Sequence, residues 1–99
     1  MEGLEITHIN HGAHGEYRAR LAGSDHIGRL TWTARGNARV AEHTLVPPAI
    51  GGRGIAAELV AALVKDAREQ GFSIVPQCSY VAAKFAEHPE WADLREPRI

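Results

Sequence analysis

The strongest structural signal in this chain is the segment Pro47-Pro48-Ala49-Ile50-Gly51-Gly52-Arg53-Gly54-Ile55-Ala56. The two prolines should end a strand, because neither can donate a backbone hydrogen bond to a sheet. The glycines permit a tight turn and a close approach of the backbone to a ligand. Because the first N–H groups of a helix lack internal partners, a loop of this kind at the start of a helix predicts an anion-binding site. A phosphate would fit there.

Arg53 supports this interpretation. A cation at the positive end of a helix costs a few tenths of a kcal/mol, up to about 1 kcal/mol. The sequence between His43 and Ala57 contains no Asp or Glu that would offset this cost. A bound polyanion would turn the cost into a gain. The alternative is a solvated Arg beside an ordinary glycine turn.

Composition limits the classes of protein to consider. With 99 residues, of which 44% are hydrophobic, we expect one compact domain over residues 1–99. The net charge of -1 argues against nucleic-acid and membrane partners, which need a basic excess. One cysteine and the lack of a signal-peptide pattern predict a soluble, cytoplasmic protein. His8, His11 and His14 recur every third residue, but no Cys or carboxylate stands at ligand spacing, so we expect no metal site.

Local patterns predict a mixed α/β (α+β) fold. Alternating apolar and polar residues predict four short strands, at about 4–8, 16–22, 27–34 and 39–46, and the short turns between the last three favour an antiparallel meander. A wide apolar stripe predicts an amphipathic helix over about 53–70, with Gly71 as its C-terminal cap. A short strand at 73–76 should lie parallel to the fourth strand through a right-handed crossover. A second helix is expected over 79–87, and Trp91 and Leu94 should fold back to anchor the tail.

Two familiar phosphate-binding patterns do not fit the glycine loop. A P-loop needs Gly-Lys-Ser/Thr, which this chain lacks. Gly52-Arg53-Gly54 followed by Ala57 matches the dinucleotide-binding form G-x-G-x-x-A. However, that form follows the first strand of a parallel sheet and expects an acidic residue about twenty positions later, where this chain has an apolar strand pattern.

A third pattern fits better. Antiparallel strands, the Val46-Pro47-Pro48 bend, the glycine loop, a long helix, a parallel strand and a further helix resemble the acetyl-CoA-binding half of GNAT-type (GCN5-related) N-acetyltransferases. Their pyrophosphate loop Q/R-x-x-G-x-G/A is matched at 51–56, except that Gly51 replaces the usual Arg or Gln. Three further motifs in order, His43-Thr44-x-Val46-Pro47, Pro76-x-Cys78-Ser79-Tyr80-Val81 and His88-Pro89-Glu90-Trp91, resemble the minimal, single-domain YjdJ-like branch, over about residues 16–94.

The resemblance implies that acetyl-CoA is the co-substrate. Acetyl-pantetheine would enter a gap between the fourth and fifth strands and pair with the backbone of Leu45 and Val46. The pyrophosphate would be held by the loop residues Gly51, Gly52, Arg53, Gly54, Ile55 and Ala56. The implied reaction is acetyl transfer to a primary amine by direct attack on the thioester. The short 10–15 loop predicts an open acceptor groove that suits a protein lysine or a polyamine. A non-catalytic CoA-binding or interaction module is the alternative, as a monomer or a homodimer.

Three side chains are candidates for the proton transfers. Glu42 and His43 should point to opposite faces of the fourth strand, and the near-neutral pKa of histidine favours His43 as general base. The alternative is a structural histidine whose ring bonds a neighbouring strand. Cys78 opens a helix, where the positive dipole end lowers a thiol pKa. It could be an acyl acceptor, a proton donor to the CoA thiolate or a small buried residue. Tyr80 is the nearest hydroxyl for a general acid, and the alternative is that it only packs the helix. The tyrosine that many GNAT enzymes use aligns with Phe85, so the resemblance leaves Cys78, Tyr80 or water as the acid.

Overall fold

The structure, a computed structural model, describes residues 2–96. Strands β1 to β4 form an antiparallel meander, and β5 pairs in parallel with β4, so the sheet order is β1-β2-β3-β4-β5. The expected class and order of elements are confirmed. The elements are β1 Leu4–Asn10, β2 His14–Leu21, β3 Ile27–Arg35, β4 Ala38–Leu45, a 3-10 turn Pro48–Ile50, α1 Ile55–Gln70, β5 Ser73–Pro76, α2 Ser79–Glu87 and a second 3-10 segment Pro89–Leu94.

Glycines fix both ends of α1. The helix begins at Ile55, two residues later than expected, because Gly54 precedes it with a φ of 83°, which a right-handed helix does not allow. At the other end Gly71 has a φ of 80°, and its N–H donates to the carbonyl of Ala67. This is the C-terminal cap that the sequence predicts.

The hydrophobic core lies between one face of the sheet and the two helices. Buried side chains of β2 and β3 on this face contact the apolar stripe of α1, and α2 adds Val81 and Phe85 to the same cluster. The second 3-10 segment also joins it, since Leu94 is buried and Arg68 of α1 forms an ion pair with Asp93, so the tail folds back as expected. Among residues 2–96, neither helix is long and apolar enough to cross a bilayer.

A polar network lies at the edge of this core, where the side chains of His8 and Asp66 are partly exposed. The Tyr17 hydroxyl donates to Asp66 Oδ2 at 2.7 Å and accepts from Arg39 Nη1 at 3.1 Å. Trp32 Nε1 donates to His8 Nε2 at 3.1 Å, and the His8 ring stacks on Tyr17 with centroids 4.2 Å apart. Burial raises the pKa of Tyr17, whereas burial and the nearby Arg39 charge lower the pKa of His8. The network therefore links β1, β2 and β4 to the middle of α1.

Candidate functional site

The last two strands separate to leave a gap. β4 and β5 are paired from Ala38 opposite Ser73 to Ala41 opposite Pro76, where β5 ends. The Cys78 N–H then donates to the Ala41 carbonyl at 2.8 Å. Beyond this bond, β4 continues to Leu45 with no β5 residue opposite it. Because the two strands are parallel, the helices that follow them both begin at this end, and their positive ends face the mouth of the gap.

A β-bulge lies in β4 beside the gap. His43 is opposite Thr31, but Ala41 is opposite the very next residue of β3, so Glu42 has no partner of its own. The Thr33 hydroxyl donates to Glu42 Oε2 at 3.2 Å, which places Glu42 on the same sheet face as His43, away from α1. The expectation that Glu42 and His43 point to opposite faces is therefore wrong. An extra residue cancels the alternation on which that expectation depended.

The same bulge turns Thr44 toward the helices. Thr44 is opposite Leu30, which is fully buried in the core, so the two share the face that packs on α1. There the Cys78 S–H donates to Thr44 Oγ1, with the sulfur and oxygen 3.5 Å apart. Sequence reasoning gave Thr44 no role. It appeared only as a member of the motif His43-Thr44-x-Val46-Pro47, and the bulge that separates its side chain from that of His43 could not be seen.

The Cys78 thiol is surrounded by neutral hydrogen-bond donors. Cys78 is the N-cap of α2 and is partly buried. Partial burial alone would raise the pKa of this thiol. The Thr44 hydroxyl and the nearby backbone N–H groups of Val81, Tyr80 and Thr44 outweigh that effect, so the pKa of the thiol lies below its ordinary value. The site therefore stabilises the thiolate more than the surroundings of an ordinary cysteine do.

The structure brings some candidate groups together and keeps others apart. The Cys78 sulfur contacts the Thr44 hydroxyl and lies at the start of the helix that contains Tyr80. The Tyr80 ring packs against the core, with Lys84 Nζ 5.6 Å from its centroid. His43 is exposed on the other face of the sheet, so it lies across β4 from Cys78. A base at His43 and an acid at Cys78 would act from opposite sides of the strand.

The loop before α1 presents unpaired amides. The Gly51 N–H already donates to the Pro48 carbonyl at 3.1 Å. By contrast, the N–H groups of residues 52 to 57, which we call the loop amides, have no acceptor within residues 2–96. A Cβ added to Gly52 or Gly54, whose φ angles are 71° and 83°, would meet no atom within 4 Å. The loop amides thus border open space at the positive end of α1, as a diphosphate site requires.

The main-chain groups of β4 that face the gap can be identified. The Ala34 N–H of β3 donates to the Ala13 carbonyl and so points away from β4, which by alternation turns the main chain of Arg29 toward Leu45 and leaves the Thr44 N–H facing the gap. Main-chain groups of successive strand residues point to alternate sides, and Leu45 is paired with Arg29 of β3. The alternation favours Thr44 and Val46 over Leu45 for pairing with a guest in the gap. The Leu45 side chain, 60% exposed, remains available for apolar contact.

The histidines of the first hairpin form no metal site. His8 Nε2 accepts a hydrogen bond from Trp32 Nε1. The ring centroids of His11 and His14 lie 5.0 Å apart at the exposed turn. Within residues 2–96, no group of three or more His, Cys, Asp or Glu side chains is placed to hold a metal ion.

Two comparisons with known proteins bear on the site. The family model described as GCN5-related N-acetyl-transferase matches residues 16–94. Among solved structures, the NMR solution structure of a GCN5-like protein from Staphylococcus aureus superposes with a TM-score of 0.70. The two sequences are 22% identical, and the match covers 100% of this chain and 94% of the other. At that identity the structural match supports the fold, and the family match carries the assignment.

Proposed function

The chain belongs to the GCN5-related N-acetyltransferase family, and from this premise we propose that it transfers the acetyl group of acetyl-CoA to a primary amine. The observation that carries the proposal is the set of unpaired loop amides at the mouth of the gap between β4 and β5. Free donors at the positive end of a helix favour a diphosphate, and a free strand edge beside them favours an extended amide chain. CoA has both groups in one molecule.

Each part of the site has a task in this proposal. The loop amides and Arg53 hold the diphosphate, and the backbone of Thr44 and Val46 pairs with the pantetheine amides. Bound acetyl-CoA supplies the activated thioester. His43, on the exposed face beside the gap, accepts the proton of the attacking ammonium. Cys78 donates a proton to the departing CoA sulfur.

Tyr80 and direct acylation of Cys78 are the alternatives for the last step. A lowered thiol pKa makes Cys78 a better proton donor, but it also increases the share of thiolate, which is a nucleophile. Intact-protein mass spectrometry after incubation with acetyl-CoA separates the two. An added acetyl mass that is lost in Cys78→Ala indicates an acyl-enzyme, and no added mass supports direct attack. A role for the Tyr80 hydroxyl is tested by Tyr80→Phe.

The acceptor should be a protein lysine or a polyamine. The turn between β1 and β2 spans only residues 11–13, so no helical segment is inserted there to enclose a small acceptor. The face on which His43 lies carries the ion-paired, partly exposed Glu16, Arg18 and Arg29. An open polar surface of this kind suits an acceptor that does not need an enclosing pocket. We place the protein in the cytoplasm as a single domain, where its cysteine stays reduced.

The decisive experiment measures CoA binding and acetyl transfer separately. Isothermal titration gives the affinity for CoA, and chromatography measures CoA released from acetyl-CoA in the presence of Nα-acetyl-lysine or spermidine. We expect amine-dependent release that falls about 100-fold or more in His43→Gln, since general-base catalysis contributes roughly that factor. His11→Gln, an exposed histidine in the β1–β2 turn, is the matched control and should release CoA at the wild-type rate.

A non-catalytic CoA-binding module is favoured by one observation, namely that His43 and Cys78 lie on opposite sides of β4. If CoA binds but no amine accelerates the release of CoA from acetyl-CoA, the protein is a binding module and the transferase proposal fails. If CoA does not bind at all, both fail. Light scattering during the titration establishes whether the active species is a monomer or a homodimer.

A further inference from the structure

Thr44 and Cys78 make a contact that the proposed chemistry does not by itself require. Thr44 is the residue of β4 that the bulge turns toward the helices, and its Oγ1 lies 3.5 Å from Cys78 Sγ. Both side chains are partly buried at the point where β4 and β5 separate. A regular strand would have placed the neighbouring His43 here and Thr44 on the exposed face.

A hydroxyl is well suited to this position because it can both accept and donate a hydrogen bond. While Cys78 is protonated, its S–H donates to Thr44 Oγ1. When the sulfur loses its proton, rotation of the hydroxyl lets Thr44 donate to the thiolate instead. The contact is thus kept in both charge states, but it is stronger in the charged state.

The Thr44 hydroxyl, which contacts the sulfur, is a neutral group. The backbone N–H groups nearby, at the start of α2 and in β4, are also neutral. Of the titratable side chains on these two elements, His43 and Glu42 lie on the opposite face of the sheet, and the Arg39 guanidinium lies against the rings of Trp32 and Phe72. On α2, Lys84 forms an ion pair with Glu87, and its Nζ lies 5.6 Å from the centroid of the Tyr80 ring. Thr44 therefore provides the side-chain contact to Cys78.

We propose that Thr44 is a positioning residue, which fixes the direction of the Cys78 thiol and favours its thiolate. The orientation is a property of the protein without any ligand. Its importance for acetyl transfer rests on the proposed function, in which Cys78 donates a proton at the reacting sulfur. A side-chain change at Thr44 leaves its backbone N–H in place, so pantetheine pairing is retained.

The test is the rate at which iodoacetamide alkylates Cys78, followed by intact mass from pH 6 to pH 10 without CoA. Thr44→Val keeps the shape but removes the hydroxyl, and Thr44→Ser keeps the hydroxyl. We expect alkylation of Thr44→Val at neutral pH to be about three- to tenfold slower than wild type, with its pH midpoint displaced upward. Thr44→Ser should stay within about twofold of wild type.

The control is Thr31→Val on β3, which makes the same change on the exposed face. Its alkylation rate should match that of the wild type. The proposal is overturned if Thr44→Val reacts at the wild-type rate at every pH, or if Thr31→Val is slowed equally. Should Thr44→Val fail to fold, Thr44→Ala replaces it, with the same expected slowing and the same overturning result.

Kinetics distinguish this proposal from the proposed function. If the wild type transfers acetyl groups, Thr44→Val should lower kcat and leave the KM for acetyl-CoA within about twofold. An alkylation difference in a protein that never releases CoA supports the role of Thr44 and refutes the transferase. Acetyl transfer without an alkylation difference supports the transferase and refutes the role of Thr44.

Discussion

Replacing Gly52 or Gly54 by alanine tests whether the loop amides bind a diphosphate. Both residues have left-handed backbone angles, with φ of 71° and 83°. Gly71, at the far end of α1, has a φ of 80° and provides a matched control. In all three positions an added Cβ meets no atom within 4 Å, so each variant bears the same backbone strain and no clash.

The strain should be similar in the three variants. An L-residue in the left-handed region costs about 1 kcal/mol relative to glycine. For a domain of this size, 1 kcal/mol lowers the melting temperature by about 4–8 °C. Gly52→Ala, Gly54→Ala and Gly71→Ala should therefore melt at similar temperatures, all below the wild type.

CoA affinity should separate them. At positions 52 and 54 the new methyl group projects into the open space beside the loop amides, where the phosphate oxygens would lie. The loss of one hydrogen bond to a charged group costs about 1.5–3 kcal/mol, which weakens the affinity about 10- to 100-fold. Gly71→Ala changes nothing near the loop, and its dissociation constant should stay within about twofold of wild type.

Calorimetric titration with CoA and a thermal melt of each variant make the comparison. The reasoning is refuted if the two loop variants melt like Gly71→Ala and also bind CoA with the wild-type dissociation constant. In that case the unpaired amides do not hold the diphosphate. Equal weakening in all three variants would instead indicate a general loss of structure.

Other predictions concern the charge of Arg53 and the polar network around Tyr17. Arg53→Gln should weaken CoA binding about three- to tenfold at low salt, with a smaller difference at 0.5 M salt, as titrations at both ionic strengths will show. The pKa of His8 is lowered by folding, so the unfolded chain takes up a proton first as the pH falls below about 6.5. Stability measured in urea should therefore decrease from pH 7.5 to pH 5 and do so less in His8→Gln; equal decreases contradict this role. Tyr17→Phe leaves Asp66 and Arg39 without their shared partner and should lower the free energy of unfolding by about 1–3 kcal/mol, measured in urea at pH 7.5.

Much of the fold could be predicted because its signals are local. The strand Ser73–Pro76 and the helix Ser79–Glu87 have the bounds that the sequence indicates, since Gly71 and the proline at 89 delimit this segment. Alternation located the first four strands, but the first hairpin is tighter than expected, with β1 continuing to Asn10 and β2 starting at His14. Strand ends depend on pairing across the hairpin, which sequence periodicity does not report.

The parts that could not be predicted depend on contacts between distant residues. Arg39 is a charged residue on a strand, yet it is only 9% exposed, because its guanidinium lies between the rings of Trp32 and Phe72 at 4.1 and 4.0 Å. Nothing in the local pattern shows that these rings would enclose it. The bulge at Glu42 is similar, because it is defined only by the register of β4 against β3.

The bulge has a consequence for how proton transfer can be organised. One extra residue puts His43 on the exposed face, where an amine can approach, and Thr44 on the helix side, where it contacts Cys78. A thioester in the gap would lie between these two faces, so the base and the acid could reach it from different sides without reaching each other. In an unbroken strand His43 would point to the Cys78 side, and the two groups could exchange a proton directly. The separation that favours a non-catalytic module is therefore also the arrangement expected of a transferase that must keep its base and acid in different charge states.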